Sequence, residues 1–443
     1  MGNNLFDNKP YSTITSCRIC GNQNLDLVTN LGFQNLSGIF PESTSEQPTR
    51  SPLEVVKCNN SENRKFCGLV QLKHTAEVSS MYGETYGYRS SVSPTMRSHL
   101  KGIADFMVDL TKPNEGEIVL DIGCNDGTLL NNFNEHNLQR IGIDPSSSKF
   151  LDNFDKDIEI ICEYFSEGVF TSNFGHKKCK IITAIAMFYD LHDTIKFLNQ
   201  ITTILENDGV LALEFSYMPL MLKNLTYDQI CHEHLTYLSL TQIKWMAESV
   251  GLKIINTSFN LINGGSIFVC LANKNSKYDP DTKLIQSVLN DEGAYKDIKL
   301  FQQFNRRICS NRDDLKQILN ILNDSNKKIY GYGASTKGNI VLNFCGFNSD
   351  NLEAIFDASP EKHKRFTPGS NIPIISKKEL HDLNPDYLLI LIWHFRKEVL
   401  VDEAKYFLSG GNGIFPLPRM HFVSKNNYQD LLNSEVEDYG FSI

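Results

Sequence analysis

An apolar strand and a glycine-rich turn adjoin in the stretch Ile118-Val-Leu-Asp121-Ile-Gly123-Cys-Asn-Asp-Gly127, and a helix-forming segment follows from Thr128. Glycine lets the backbone approach a ligand that a Cβ would block. The N-terminus of a helix adds unpaired N–H groups and the positive end of the helix dipole. The order strand, turn, helix therefore predicts an α/β domain with a ligand site at this turn.

An acidic residue, Asp144, ends the next predicted strand, Gln139-Arg-Ile-Gly-Ile143. An acid at this place in a nucleotide-binding β-α-β unit meets ribose hydroxyls. The turn lacks the G-x-G-x-x-G spacing of dinucleotide sites, and the acid Asp121 before it can face the cationic methionine end of S-adenosylmethionine. We therefore predict an S-adenosylmethionine site, the alternative being a turn in an unrelated α/β domain. The predicted cofactor-binding residues are Asp121, Gly123, Asn125, Asp126, Gly127, Asp144, Pro145, Ser146, Ala186 and Met187.

The composition limits the classes of function. With 443 residues the chain exceeds one hydrophobic core, which predicts two or three domains. A net charge of -9 without clustered Lys and Arg argues against a nucleic-acid surface. We find neither a signal peptide nor an apolar run that could span a membrane, and we expect a cytoplasmic protein. Its eleven cysteines then favour metal ligands, buried thiols or catalysis over disulfides.

Four cysteines near the N-terminus form a candidate metal site. Cys17 and Cys20 lie three positions apart in a turn closed by Gly21, so that two thiolates can reach one tetrahedral ion. Cys58 and Cys67 supply a second pair, although the residues between them must bulge outward. We predict a structural zinc ion, since four sulfur ligands leave no open position for catalysis. The alternative is that Cys58 and Cys67 are ordinary thiols.

A tyrosine-rich loop containing Tyr82, Tyr86 and Tyr88 precedes the cofactor domain. It is either a lid over the site or simple packing. Ser93-Pro94 then caps a helix, because the serine hydroxyl can accept from the first turn and proline fits its first position. The apolar face of this helix is Met96, Leu100, Ile103, Phe106 and Leu110.

The following segments predict a seven-stranded methyltransferase sheet. A strand over 180–186 ends at Met187, at the carboxyl edge where ligands of open α/β sheets lie. A helix over 194–205 and a turn at 206–209 precede a strand over 210–215. Two strands over 253–257 and 266–271 close the sheet.

The segment from Tyr227 to Tyr237 carries the densest chemistry of the chain. It contains His232-Glu233-His234, and a histidine beside a carboxylate can be a base whose tautomer and pKa its neighbour sets. Because H-E-H is not the H-E-x-x-H spacing of zinc-binding helices, we do not expect the two histidines to share a metal. The alternative is a solvated polar loop.

The order of these motifs resembles the sugar C-methyltransferases that act on nucleotide-linked 4-keto-6-deoxy sugars. The resemblance covers nearly the whole chain: the Cys-x-x-Cys knuckle, the tyrosine loop, I-G-C-N-D-G, D-P-S and Y-D-Q-I-C-H-E-H-L. It includes Gly331-Tyr-Gly-Ala-Ser-Thr-Lys337-Gly, a second strand and glycine turn without a complete dinucleotide fingerprint. The implied α/β fold has a zinc-binding module over 1–75, a class I methyltransferase domain with a seven-stranded sheet over 76–280, and a helical linker with a Rossmann-like nucleotide-sugar-binding domain over 281–443.

The resemblance also implies a mechanism in which a base removes the proton beside the ketone and the enolate attacks the methyl group. By position the resemblance implies that His234 is the base or its close partner and that Glu233 orients it. Tyr86 and Tyr88 are candidate hydroxyl donors to the sugar or enolate, and His232 is a further catalytic candidate. The residues implied for binding a dTDP- or GDP-linked keto sugar are Tyr82, Ser90, Tyr332, Lys337, Lys362, Trp393, His394 and Arg396. Better-known members carry tyrosine where this chain has Cys231, which places it on a divergent branch.

Two other functions stay open. One is methylation of a sugar hydroxyl or amine. The other is a nucleotide-sugar-binding protein without turnover, which is suggested by Cys231 at the position of the usual tyrosine. The presence of Asp121, Asp144 and His234 favours an enzyme. We expect a monomer or homodimer that serves deoxysugar, surface-polysaccharide or natural-product biosynthesis.

Overall fold

The computed structural model describes residues 10–46, 48–59, 65–77 and 89–434. The predicted tyrosine lid, with Tyr82, Tyr86 and Tyr88, lies outside these residues. Sheets of four, seven and six strands organise the described chain, and they follow one another in that order along most of the sequence. This arrangement confirms the predicted α/β fold class.

The N-terminal module is built from short antiparallel strands. Its strands are β1 (Tyr11–Thr13), β2 (Leu25–Asn35), β3 (Arg50–Cys58), β4 (Val70–Leu72) and β5 (His74–Ala76). β3 pairs with both β2 and β4, and β1 pairs with β5. Small β-modules of this size bury little apolar surface, so a metal ion contributes much of their stability.

Alternating helices and strands form the central part of the chain. The elements are α1 (Pro94–Thr111), β6 (Ile118–Ile122), α2 (Thr128–Asn131), β7 (Gln139–Ile143), β8 (Ile158–Ile161), α3 (Glu167–Phe174), β9 (Cys179–Ile185), α4 (Thr194–Ile204), β10 (Leu205–Ser216), α5 (Met218–Asn224), β11 (Thr236–Tyr237), α6 (Leu240–Ser249), β12 (Leu252–Asn260) and β13 (Ser266–Asn273). Seven strands form one sheet in the order β12-β13-β10-β9-β6-β7-β8, in which only β13 runs antiparallel to its neighbours. This is the predicted seven-stranded methyltransferase sheet.

Two predictions of local structure have clear outcomes here. Ser93 caps α1 as predicted, since its side chain accepts from the backbone N–H of Met96. The predicted turn at 206–209 is instead an irregularity inside β10, where the pairing with β9 shifts between Leu205 and Val210. Gly209 fits this irregularity because a Cβ there would lie 2.7 Å from the carbonyl oxygen of Cys179.

The C-terminal part is a second, mostly parallel α/β layer. Its elements are α7 (Thr282–Asp291), α8 (Ile298–Asp324), β14 (Ile329–Tyr332), α9 (Thr336–Cys345), β15 (Ile355–Phe356), β16 (Ile374–Ile375), α10 (Lys377–Asp382), β17 (Tyr387–Ile390), α11 (Arg396–Asp402), α12 (Ala404–Leu408), β18 (Asn412–Phe415), β19 (His421–Val423) and α13 (Tyr428–Asn433). The sheet order is β16-β15-β14-β17-β18-β19, with only β19 antiparallel. A strand order that reverses beside β14 is typical of Rossmann-like folds.

The three sheets are tied together at several points. β11, from the central part of the chain, extends the N-terminal sheet by pairing with β4. The hydroxyl of Thr29 on β2 donates to Asn305 of α8 at 2.7 Å. Among the described residues, no helix is both long and apolar enough to cross a membrane.

A buried carboxylate, Glu292, fastens α6 to the rest of the central domain. It accepts from the hydroxyl of Tyr217 at 2.6 Å and from the backbone N–H groups of Leu240 and Thr241, both at 2.7 Å. Those two N–H groups belong to the first turn of α6, where they have no partner within the helix. The negative charge also lies at the positive end of the helix dipole.

We predict that Glu292→Ala lowers the free energy of unfolding by about 3 kcal/mol, because several buried donors lose their acceptor. Urea titration followed by circular dichroism measures this change. Glu248→Ala is the matched control on the same helix, since this side chain is solvent-exposed. It should change stability by less than about 0.5 kcal/mol. Equal effects of the two substitutions would show that the network does not stabilise the fold.

Candidate active site and metal centre

The four N-terminal cysteines converge on one point. Their sulfur atoms all lie within 4.8 Å of one another, and the pairs Cys17–Cys67 and Cys20–Cys58 are 3.4 and 3.5 Å apart. A tetrahedral zinc ion with bonds of about 2.3 Å places its sulfur ligands about 3.8 Å apart. The geometry and the chemistry of the donors fit zinc, with no position left open for a substrate.

The surroundings of the cluster hold these thiolates in place. The backbone N–H of Gly21 donates to the carbonyl of Cys17 at 3.0 Å, which closes the knuckle. The side-chain amide of Asn22 donates to the sulfur of Cys58 at 3.4 Å. Such donors stabilise zinc-bound thiolates. The predicted bulge between Cys58 and Cys67 lies partly outside the described residues, which omit 60–64.

A cavity of about 460 Å³ lies at the carboxyl ends of β6, β7 and β9. This edge is where open α/β sheets hold their ligands. Most of the predicted cofactor residues form its wall, together with Ser90 of the predicted substrate set: Asp121, Gly123, Asn125, Asp144, Pro145, Ser146, Ala186 and Met187. Three carboxylates, those of Asp121, Asp144 and Asp190, and an apolar lining suit a ligand that has hydroxyl groups, a cationic end and an aromatic base.

The glycine-rich turn is anchored by Asp144. Its carboxylate accepts from the backbone N–H groups of Asn125 at 2.9 Å and Ser146 at 2.6 Å. Asn125 has a φ of +50°, a left-handed conformation that asparagine tolerates better than most residues. Each carboxylate oxygen has a second acceptor position, so Asp144 could still accept from ribose hydroxyls.

The two glycines of the turn have different surroundings. Gly123 lines the cavity, and a Cβ there would lie 3.1 Å from Met187 Cγ. Gly127 does not line the cavity, and a Cβ there would lie 2.5 Å from the ring of Phe154. Asp126 does not line the cavity either. Its carboxylate instead accepts a hydrogen bond from the backbone N–H of Ser91 at 3.0 Å.

Asp121 is an unusual acid at the base of the cavity. It is buried, and the hydroxyl of Thr183 donates to it at 2.6 Å. Burial, aided by the nearby charge of Asp144, raises the pKa of Asp121 to about 7. A cation in this cavity would therefore find an acid that ionises readily on its arrival.

The opposite wall contains a strained residue and several side chains that the sequence did not single out. Ala186 has a φ of +56°, which is costly for alanine and is frequently found at functional sites. The cavity residues missed by sequence reasoning are Tyr164, Phe165, Asp190 and His192. All four follow the carboxyl ends of β8 or β9, a position that could have indicated them.

A second cavity of about 400 Å³ lies between the central and C-terminal sheets. It combines α1 and the loop 261–263 of the central domain with residues of the C-terminal domain, among them Lys337, Trp393, His394 and Arg396. Met96 lines both cavities, so the two adjoin. Four of the predicted substrate residues thus come together at this interface.

His234 lines neither of the two cavities, and Tyr189 lies between it and the residues of the cofactor cavity. Its Nδ1–H donates to the carbonyl of Gln229 at 2.8 Å, which leaves Nε2 as the basic nitrogen. Its ring packs against Tyr189 with centroids 4.4 Å apart. Residues on both sides of Tyr189, Met187 and Asp190, line the cofactor cavity. Burial and the charge of Lys337 lower the pKa of His234 to about 3.

In the described part of the chain, neither Glu233 nor His232 has a hydrogen bond to the His234 imidazole. Glu233 of the central domain is buried at a point where all three domains meet. Gly38 of the N-terminal module is the neighbour that shows this, since a Cβ built on it would lie 3.2 Å from the Glu233 carboxylate and 3.8 Å from Oγ1 of Thr336 in the C-terminal domain. Burial raises the pKa of Glu233. The Nε2–H of His232 donates to the carbonyl of Ser51 at 3.1 Å. Among the described residues, the hydrogen bond that orients His234 thus comes from Gln229 and not from Glu233.

Two predicted substrate residues lie away from the second cavity. The hydroxyl of Tyr332 donates to Glu403 at 3.1 Å inside the C-terminal core. Lys362 donates to the carbonyl of Ala334 at 2.9 Å and lies over the ring of Phe40. Both side chains are occupied in packing the domains.

We predict that Cys58→Ser removes the zinc ion and lowers the midpoint of thermal unfolding, because the N-terminal module loses its central ligand set. Metal analysis of purified protein should give about one zinc per chain before the substitution and about none after it. Cys162→Ser is the matched control, since this thiol is exposed and lies outside the cluster. The prediction would be contradicted if wild-type protein without zinc unfolded at the same thermal midpoint as wild-type protein with zinc.

Three family models match successive parts of the chain. Residues 17–82 match a zinc binding domain, residues 96–257 a methyltransferase domain, and residues 261–418 a C-methyltransferase C-terminal domain. The chain is 27% identical over 420 residues to C-methyltransferase NovU of Streptomyces niveus, a match that covers 93% of this chain and 97% of that protein.

Solved structures resemble only part of the chain. The plantazolicin methyltransferase BpumL, in complex with a pentazolic desmethylPZN analog and SAH, is 14% identical, with 42% of this chain and 87% of that chain covered and a TM-score of 0.34. Coclaurine N-methyltransferase, bound to N-methylheliamine and SAH, is 12% identical, with 42% and 74% covered and a TM-score of 0.31. Because both TM-scores are below 0.5, we base no conclusion on these two structures.

The three family matches follow one another along 17–418, and the C-methyltransferase similarity extends over nearly the whole chain. The zinc-fitting cysteines and the seven-stranded sheet with its acidic cavity supply the matching structure. The chain is therefore an S-adenosylmethionine-dependent methyltransferase with an N-terminal zinc-binding domain, and it resembles a C-methyltransferase over nearly its whole length.

Proposed function

We propose that the protein methylates the carbon beside the ketone of a nucleotide-linked 4-keto-6-deoxy sugar through an enolate. The observation that carries this proposal is the position of His234. Its imidazole has a fixed tautomer and is separated from the cofactor cavity by one side chain, Tyr189. The adjoining cavity reaches a second Rossmann-like domain, of the kind that binds nucleotides.

In this reaction Asp121 and Asp144 have binding roles, and His234 is the base. S-adenosylmethionine supplies an electrophilic methyl group when bound. With the cofactor bound, Asp121 would hold its cationic end and Asp144 its ribose hydroxyls. Nε2 of His234 takes the proton from the carbon beside the ketone, and the electron pair of that C–H bond moves into the enolate. The enolate carbon then forms the new C–C bond with the methyl carbon as the methyl–sulfur bond breaks, S-adenosylhomocysteine is the leaving group, and the ketone returns.

The low pKa of His234 has two consequences for this role. The imidazole is neutral throughout the physiological range, so the base is always available. It is also a weak base, and proton removal from carbon then depends on stabilising the enolate oxygen. Exclusion of water by the interface between the domains helps as well.

Further parts of the proposal concern the protein as a whole. We retain domain boundaries at about residues 75 and 280, which the sheets support except that β11 joins the N-terminal sheet. We propose a cytoplasmic location because eleven thiols and a zinc–thiolate cluster suit a reducing compartment. The pathway would supply a nucleotide-linked keto sugar of dTDP or GDP type.

We predict deuterium exchange and methylation of dTDP- or GDP-4-keto-6-deoxyhexoses by purified protein in heavy water. Mass spectrometry should show one added methyl group with the cofactor present, and exchange beside the ketone without it. His234→Ala should reduce both by about 100-fold or more, because the base is lost. It should leave cofactor affinity unchanged.

The outcomes separate the candidate functions. Methylation without any exchange at carbon would favour transfer to a hydroxyl or an amine. Sugar binding without exchange or methylation would favour the non-catalytic alternative. Loss of cofactor binding by His234→Ala would point to misfolding, and the variant would then have to be replaced by His234→Gln.

We predict that S-adenosylmethionine binding releases a fraction of a proton from Asp121 at about pH 7. With a pKa of about 7 the acid is partly protonated in the free protein, and an arriving ammonium group lowers that pKa. Calorimetric titrations in Tris and in phosphate measure the proton count. At about pH 9 the release should vanish, because Asp121 is already ionised. Asp121→Asn is the control, and undiminished proton release by this variant would contradict the assignment.

A further inference from the structure

The proposed reaction needs a positive group at the enolate oxygen, and His234 cannot be that group. Its Nδ1–H is already given to Gln229, and Nε2 carries no proton before the reaction. Cys231, three residues away, is fully buried, and its pKa is raised well above the usual thiol value by that burial. It therefore stays a neutral thiol, which is only a weak hydrogen-bond donor.

Lys337 is a cation on the wall of the second cavity. It is the second residue of α9, whose N-terminus is capped by Ser335. Its Nζ contacts the carbonyl oxygen of Asn263 at 3.3 Å. Among the described residues, no carboxylate lies within 4 Å of this ammonium group. Two of its three N–H donors are thus available to a ligand in the cavity.

A single residue, Gln229, links Lys337 to the proposed base. The side-chain amide of Gln229 donates to the carbonyl of Asn263 at 3.1 Å, and this carbonyl is the one that Lys337 contacts. The backbone carbonyl of Gln229 accepts from His234 at 2.8 Å. The base and the ammonium therefore lie on two sides of the same residue, one from each domain.

Burial lowers the pKa of Lys337, and the charge of Asp228 opposes that shift. Asp228 is the nearest carboxyl that attracts it, but its Oδ2 accepts from the indole N–H of Trp393 at 2.8 Å. Trp393 in turn packs over Gly264, where a Cβ would lie 2.7 Å from the ring. A largely desolvated ammonium without a contacting carboxylate is costly, and an anionic oxygen of a ligand would repay that cost.

We propose that Lys337 is a catalytic residue, whose ammonium donates a hydrogen bond to the keto oxygen of the sugar and stabilises the enolate oxygen. The inference rests on the proposed function and adds a role to it. His234 takes the proton, the C–H electron pair becomes the enolate π bond, and negative charge collects on the oxygen beside Lys337. When the enolate carbon takes the methyl group, its electron pair forms the C–C bond, the methyl–sulfur bond breaks with its pair going to the sulfonium sulfur, and Lys337 again contacts a neutral ketone.

The test is solvent deuterium exchange into dTDP- and GDP-4-keto-6-deoxyhexoses without cofactor, at saturating sugar, for the wild type, Lys337→Met and Lys337→Arg. Removing one donor to an oxyanion lowers rates by about 100- to 1000-fold. We expect that loss for Lys337→Met and partial recovery for Lys337→Arg. The dissociation constant of the sugar should change by less than about 10-fold, because the interaction strengthens only in the transition state.

Two controls make the result decisive. The first control is Lys316→Met, which removes a lysine that is exposed on α8. This variant should catalyse deuterium exchange into the sugar at the wild-type rate. Unchanged S-adenosylmethionine affinity and circular dichroism of Lys337→Met show that this variant is folded. If it fails this check, Lys337→Gln replaces it.

Three outcomes would overturn the inference. Exchange by Lys337→Met within about 3-fold of the wild type would remove the catalytic role of Lys337 but leave the proposed function intact. A second outcome would be that Lys337→Met exchanges at the wild-type rate at saturating sugar while its dissociation constant for the sugar rises by about 100-fold. Lys337 would then bind the phosphates of the nucleotide sugar and not the keto oxygen. Absence of exchange in the wild type would overturn the proposed function, and this inference with it.

Discussion

The burial of one polar segment, residues 227–237, is the constraint on which the rest of the structure depends. Buried donors and acceptors need partners, since each one left unsatisfied costs about 1–3 kcal/mol. This segment finds them in all three parts of the chain: His232 donates to Ser51 of β3, Asp228 accepts from Trp393 of the C-terminal domain, and Thr236–Tyr237 pairs with β4. The reactive segment is therefore ordered by contacts that exist only when the three domains are assembled.

Local patterns in the sequence predicted much of this fold. The strand, turn and helix around Asp121 and Gly123 follow from apolar runs and glycine spacing, which act over a few residues. The zinc cluster could be predicted across 50 residues of chain because thiolates have few other uses in such a spacing. The seven-stranded sheet followed from the regular alternation of strands and helices.

The details of the site depend on contacts that no local pattern shows. The partner that orients His234 is a backbone carbonyl, and any residue type at position 229 could supply one. Tyr332 ends a strand at the edge where ligands lie, yet its hydroxyl turns into the core because Glu403 accepts from it there. Asn263 and Asp228 matter through long-range packing against Lys337 and Trp393, which only the assembled fold reveals.

The ring beside Gly127 bears on which cofactors the protein rejects. Dinucleotide enzymes leave the start of the helix after the first strand open, so that diphosphate oxygens can reach its N–H groups. Here the phenyl ring of Phe154 fills the space next to Gly127, and the helix that follows is only four residues long. An apolar ring cannot solvate a diphosphate, and its removal would be costly. Selectivity against NAD-type molecules is thus built from exclusion at this turn as much as from attraction by the two acids.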